Sequence, residues 1–185
     1  MNAVYVLIAI VVVLLVLLAW LYNRMVRLRN EVDTGWANID VQLKRRNDLI
    51  PNIVETVKGY AAHERGTFEA VTEARAAIQG ARGPAATAEA DNLLTAALCK
   101  LFAVAEAYPD LKASENFLQL QNELSATEDK IAAARRYYNA TVLRFNNSIQ
   151  TFPAVLLAGM LGFAKREFFA AEDGDRALPE VSFQS

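Results

Sequence analysis

"IDVQLKRRNDLIPNIVETVKGYA", residues 39–61, decides the fold. Its apolar residues fall at helical spacing, yet Pro51 sits among them. Working outward, steps of three and four connect Val32, Trp36, Ile39 and Leu43 to Ile50, Ile53 or Val54, Val57 and Ala61, then Phe68, Val71 and Ile78. This is the seam of a supercoiled helix pack. Arg46 and Glu64 fall on the same stripe and interrupt it. The stripe keeps its phase across Pro51, so the spacing predicts one long helix running through the proline, kinked there. Pro51 has no N–H for the Asn47 carbonyl, and its ring crowds that oxygen, at a cost of about 3 kcal/mol. Packing on both sides must offset this. If the chain restarts there instead, Asn47 and Asp48 are natural N-caps.

The first helix is expected to end near "QGARGPAA", where Gly80, Gly83 and Pro84 read as stop signals. A second helix is expected from about Ala86 to Ala107, broken at Pro109. A third starts near Ser114, an N-cap residue followed by Glu115. Its Phe117, Leu124, Ile131, Tyr138, Phe145 and Phe152 recur at heptad spacing, with Leu120, Thr127, Ala134, Thr141 and Ser148 at the paired positions. Pro153 ends it, and "AVLLAGMLGFAKREFF" reads as a last short helix. The acidic tail from Glu172 should be loosely ordered.

"AVYVLIAIVVVLLVLLAWLY", residues 3–22, carries no charge. At about 1.5 Å per residue it spans roughly 30 Å, the thickness of the hydrocarbon core. Tyr5, Trp20 and Tyr22 lie near its edges, as interfacial aromatics do, and Arg24 and Arg27 follow. A cleaved signal peptide would want a basic leader, a shorter apolar run and small residues at a cleavage site. None is present in this stretch. Arg24, Arg27 and Arg29, with Lys44, Arg45 and Arg46 beyond, place the N-terminus outside and the body in the cytoplasm. A body outside the cytoplasm is the alternative.

The expected class is therefore all-α: a single-pass N-terminal transmembrane helix (1–23), an antiparallel four-helix, coiled-coil-like bundle (24–170) and a flexible tail (171–185). The first helix outreaches the second, so part of its seam calls for a second copy of the chain. The net charge of −2 gives no reason to expect nucleic acid. The single cysteine, Cys99, fits a reducing compartment.

Two blocks resemble the LemA family: "YNRMVRLRNEVDTGWANIDVQLKRRNDLIPNIVETVKGYAAHE" and "RRYYNATVLRFNNSIQTFPAVLLAGMLGFAKREFF". "LPEVSF" is similar to the short ending the family carries. The resemblance implies an N-terminal anchor, N-terminus outside, and a helical bundle behind it. It implies no enzymatic activity and no cofactor. Residues 81–92 match it least, so no role is expected there.

Chemistry-bearing motifs are sparse. His63 is the only histidine, and "HERGT" lacks the second imidazole a zinc site needs one turn on. Di-metal carboxylate bundles need a histidine on each of two helices. "GARGPA" lacks the lysine and strand of a phosphate loop. A Cys99–His63 pair stays open, against a small buried cysteine. The Lys44–Arg46 run reads as a solvated face. No catalytic, metal or cofactor site is expected, and no enzyme. "FPAVLLAGMLGFAKREFF" is the place to look for function. Its apolar residues cover most of a helix circumference, with small Ala158, Gly159 and Gly162 allowing close approach. Leu157, Met160, Leu161, Gly162 and Phe163 are the expected interaction residues, unless both faces are covered within the chain. The sequence then points to a membrane-bound scaffold that self-assembles, on the lipid bilayer, with a further protein partner possible. The alternative is a regulatory adaptor bringing a cytoplasmic protein to the membrane.

Overall fold

Helix α1 (Asn2–Lys58) is continuous for 57 residues in the computed structural model, which describes residues 2–169. It passes through Pro51 unbroken, with Ile50 and Ile53 buried on either side. It does not reach residue 80. Gly59, a weak helix former, follows its last residue. Tyr60 and Ala61 both donate their N–H to the Val57 carbonyl, at 3.0 and 2.9 Å, and the turn tightens to an end. Ala61 remains buried inside this turn. The apolar stripe thus continues in sequence where the helix does not.

Helix α2 (Arg65–Gly80) and α3 (Gly83–Glu106) meet across residues 81 and 82. Gly83 takes φ +79°, a conformation that favours glycine, and Pro84 sits in the first turn of α3. The single turn α4 (Pro109–Lys112) leads to α5 (Glu115–Gln150), and α6 (Val155–Ala158) closes the described helices. No strand occurs among the described residues.

These residues form two units, and α1 and α5 each give a segment to both. The unit built on Val41–Ala132 is a four-helix bundle. Ile50, Ile53 and Val57 of α1, Phe68 and Val71 of α2, Leu94, Leu98 and Leu101 of α3, and Phe117 and Leu124 of α5 share one buried core, with Leu111 of α4 at its end. Short connections make sequential helices antiparallel neighbours.

The other unit comprises the chain up to Asp40 together with Ala133–Glu167. Leu21, Met25, Val32 and Ile39 of α1 are buried, as are Tyr138, Val142, Phe145 and Ile149 of α5. Gly35 brings the two helices close: a Cβ there would lie 3.3 Å from Cα of Tyr138. Arg144 pairs with Glu31 at 3.2 Å one turn further along.

The last short helix is shorter than its apolar pattern suggests. Only Val155–Ala158 is α-helical. The Phe163 N–H bonds the Ala158 carbonyl at 2.9 Å, and that of Gly162 bonds Gly159 at 3.2 Å. With Gly162 at φ +75°, this is a Schellman stop. Beyond it the chain is non-helical and strapped down by side chains. Asn146 donates to the Arg166 carbonyl and accepts the Arg166 N–H, both at 2.9 Å. The Tyr138 hydroxyl donates to the Glu167 carbonyl at 2.8 Å. The tail expected at 171–185 lies outside the described residues.

Candidate functional site

The first candidate is the end of the α1–α5 unit where the apolar stretch of α1 begins. From Val4 to Leu18 the large apolar side chains are exposed. Cover starts at Leu21, which is only 4% exposed. Tyr5, Trp20, Tyr22, Arg24 and Arg27 are all exposed. The Arg24 guanidinium lies 5.5 Å from the Trp20 ring centroid. The Arg29 guanidinium stands 5.5 Å from the ring of Phe163. That ring meets Tyr22 at 5.9 Å and Phe145 at 6.4 Å.

Phe163 is therefore a buried anchor and not part of a surface, because the Schellman stop turns it inward. Leu157 is half-buried, while Met160, Leu161 and Gly162 are exposed. The expected interaction set thus divides. Two residues outside it, Phe152 (79% exposed) and Leu156 (65%), join Met160 (85%) on the open side. Sequence reasoning placed Phe152 on the heptad seam of the third helix, but α5 stops at Gln150 and leaves it exposed; Leu156 was counted only among the apolar residues of a longer last helix.

The second candidate lies within the four-helix unit. Arg46 is fully buried, so the Lys44–Arg46 run is not one solvated face: Lys44 and Arg45 point outward and Arg46 inward. Its guanidinium donates to Asp91 Oδ1 at 2.6 Å and to Thr95 Oγ1 at 2.8 Å. Its Nε lies 2.8 Å from Glu128 Oε1. Burial pushes its pKa down from the ordinary value, while Glu128 and Cys99 pull it back up. Asp91 falls in the segment expected to hold no role, yet it carries half of this buried pair. A cleft of about 360 Å³ opens beside the network, lined by Cys99, Phe102, Gln121, Ser125 and Glu128 among others. Because Asp91, Thr95 and Glu128 engage the guanidinium, Arg46 serves the packing of α1, α3 and α5.

Cys99 is exposed on α3 and His63 is exposed in the turn after α1. Among the described residues, no group of three metal-ligating side chains converges. A groove of about 400 Å³ runs between α2 and α3, floored by Ala70, Ala74, Ala77, Ala96 and Ala97. Leu93 borders it, and Glu73 and Lys100 flank it.

These features define a helical-bundle protein whose first helix is long and apolar enough to cross a membrane. The chain belongs to the LemA family, whose model matches residues 35–183. It is 30% identical over 164 residues to Protein LemA of Metamycoplasma hominis, covering 86% of this chain and 74% of that protein. It is 27% identical over 174 residues to Magnetosome protein MamQ 2 of Paramagnetospirillum magneticum, and spans 80% of this chain and 64% of that one. Magnetosome protein MamQ of Magnetospirillum gryphiswaldense is 26% identical over the same shares. None of these names denotes an enzyme.

Proposed function

We propose that the protein is a membrane-anchored scaffold that self-assembles and works by contact, not by catalysis. The apolar stretch of α1 is its single-pass anchor in a bacterial inner membrane, with the N-terminus outside and the bundle in the cytoplasm. The basic residues Arg24, Arg27 and Arg29 after the stretch support that orientation. The magnetosome names of two relatives are in keeping with a role in organising membranes.

Self-assembly is supported by one observation: the alanine-floored groove between α2 and α3, with Leu93 more than half exposed beside it. Small residues let a second helix approach closely, and an exposed leucine supplies the knob for such a groove. Glu73 and Lys100 on its flanks give a second copy complementary charges to meet. In-cell crosslinking of the full-length chain, followed by mass spectrometry, tests this. Ladders of this chain alone, shortened by Leu93→Asp, are expected. A second protein crosslinked in near-equal amount would instead favour the adaptor.

A further inference from the structure

The apolar segment that follows α5 has a position as well as a composition. Glu31 of α1 pairs with Arg144 of α5, and the helices are antiparallel. Six residues further, α5 ends at Gln150. At about 1.5 Å per residue that is roughly 9 Å, which brings the end of α5 level with Met25 of α1. The segment returns at Phe163, whose ring sits against Tyr22. Both ends of residues 151–162 are therefore held at the level where the uncharged stretch of α1 begins. The burial of Leu21 marks the same level from the other side.

The geometry points to a second membrane contact: Phe152, Leu156, Met160 and Leu161 dip into the lipid layer beside α1, as a short interfacial wedge. The occupant of this apolar patch is the bilayer and not a second protein. Charge argues for it. No acidic residue occurs in residues 1–30 or 145–166. The exposed Arg24, Arg27 and Lys165 flank the patch. Basic groups above an apolar wedge match anionic headgroups above acyl chains. Of the acidic side chains nearest in sequence, Glu31 and Asp33 are paired with Arg144 and Arg166, and Glu167 follows the segment, beyond the clasp of Asn146 on Arg166. Continuity with the apolar stretch of α1 supplies the rest: an exposed patch at that depth faces lipid as soon as α1 crosses. The wedge is held stiffly, by the Phe163 ring stack and the Asn146 clasp on Arg166.

This inference rests on the anchoring of α1, and the test separates the two. Full-length protein is reconstituted into vesicles of phosphatidylethanolamine and phosphatidylglycerol. An environment-sensitive fluorophore is attached to Cys99, or, on a Cys99→Ser background, to Met160→Cys or Leu14→Cys. Lipids spin-labelled near the headgroup should quench the label at 160 several-fold more than the label at 99, and aqueous iodide should do the reverse. The label at 14 should be quenched by lipids spin-labelled deep in the chain. If 14 is quenched in this way but 160 behaves like 99, the anchor stands and the wedge is wrong. If 14 is not quenched by lipid, the anchor fails and takes the wedge with it. A label at 160 shielded from both quenchers, with chain-to-chain crosslinks at that site, would place a second copy there and overturn the proposal.

Discussion

Arg46 interrupts an otherwise apolar stripe, and the interruption is a buried network. Burial disfavours the charge, and Asp91 and Glu128 offset that cost in part. Removing one partner breaks that balance. Asp91→Ala leaves the guanidinium enclosed with its closest counter-charge gone, and is expected to cost about 3–5 kcal/mol. Replacing both, as Arg46→Met with Asp91→Leu, is expected to be about neutral, because Glu128 is partly exposed and can turn to water. Thermal unfolding of the detergent-solubilised chain, followed by far-UV circular dichroism, distinguishes the two. Tyr138 makes a separate prediction. Burial raises its pKa from the ordinary value of 10.0, Arg166 opposes the rise, and Glu167 and Asp33 add to it. A raised folded pKa means stability is full below the unfolded value and falls as pH climbs through the folded one. The α1–α5 unit should therefore weaken above about pH 10. Tyr138→Phe should flatten that alkaline slope and cost the bond to the Glu167 carbonyl. The Trp36 ring, 5.7 Å from Tyr138, gives a local fluorescence readout.

Among the helices, α5 was the most legible. Its large side chains at heptad spacing from Phe117 to Phe145 are buried in sequence order. The passage of α1 through Pro51 was legible for the same reason, since packing on both sides holds the phase. That same phase concealed the turn after Lys58. A buried Ala61 satisfies a stripe whether it lies on a helix or in a turn, so only Gly59 hinted at the end. The final helix failed on Gly162, whose positive φ is a property of the folded turn. The partners of Arg46 were not legible, because Asp91 and Glu128 lie 45 and more residues away on other helices. Gly35 is where helix-level packing is most exposed to test. A Cβ there meets the Tyr138 backbone at 3.3 Å and Thr141 Oγ1 at 3.4 Å. Gly35→Ala trades this crowding against a helix-propensity gain of about 1 kcal/mol. Gly35→Val has no such margin and is expected to destabilise by about 1–3 kcal/mol. Urea titration of both variants in the same detergent checks the order.

At the scale of the whole chain, one residue reports on topology. Cys99 is the only cysteine in the sequence and is exposed on α3, so any thiol label on the native chain reads one site. Arg24, Arg27 and Arg29 follow the apolar stretch. Carrying three fixed cations across a bilayer is costly, which is the physical content of the positive-inside bias. A membrane-impermeant maleimide added to intact spheroplasts is therefore expected to leave Cys99 unlabelled, and to label it fully once the membrane is opened. A cysteine placed at the other end, as Asn2→Cys with Cys99→Ser, is expected to show the opposite pattern. Both results are needed. Protection of Cys99 alone could reflect a partner seated on the cleft it lines, whereas reciprocal labelling requires the two ends to face different compartments. If Cys99 reacts in intact spheroplasts while the Asn2→Cys label is shielded, the body lies outside the cytoplasm. Any partner of the proposed scaffold would then have to be sought there.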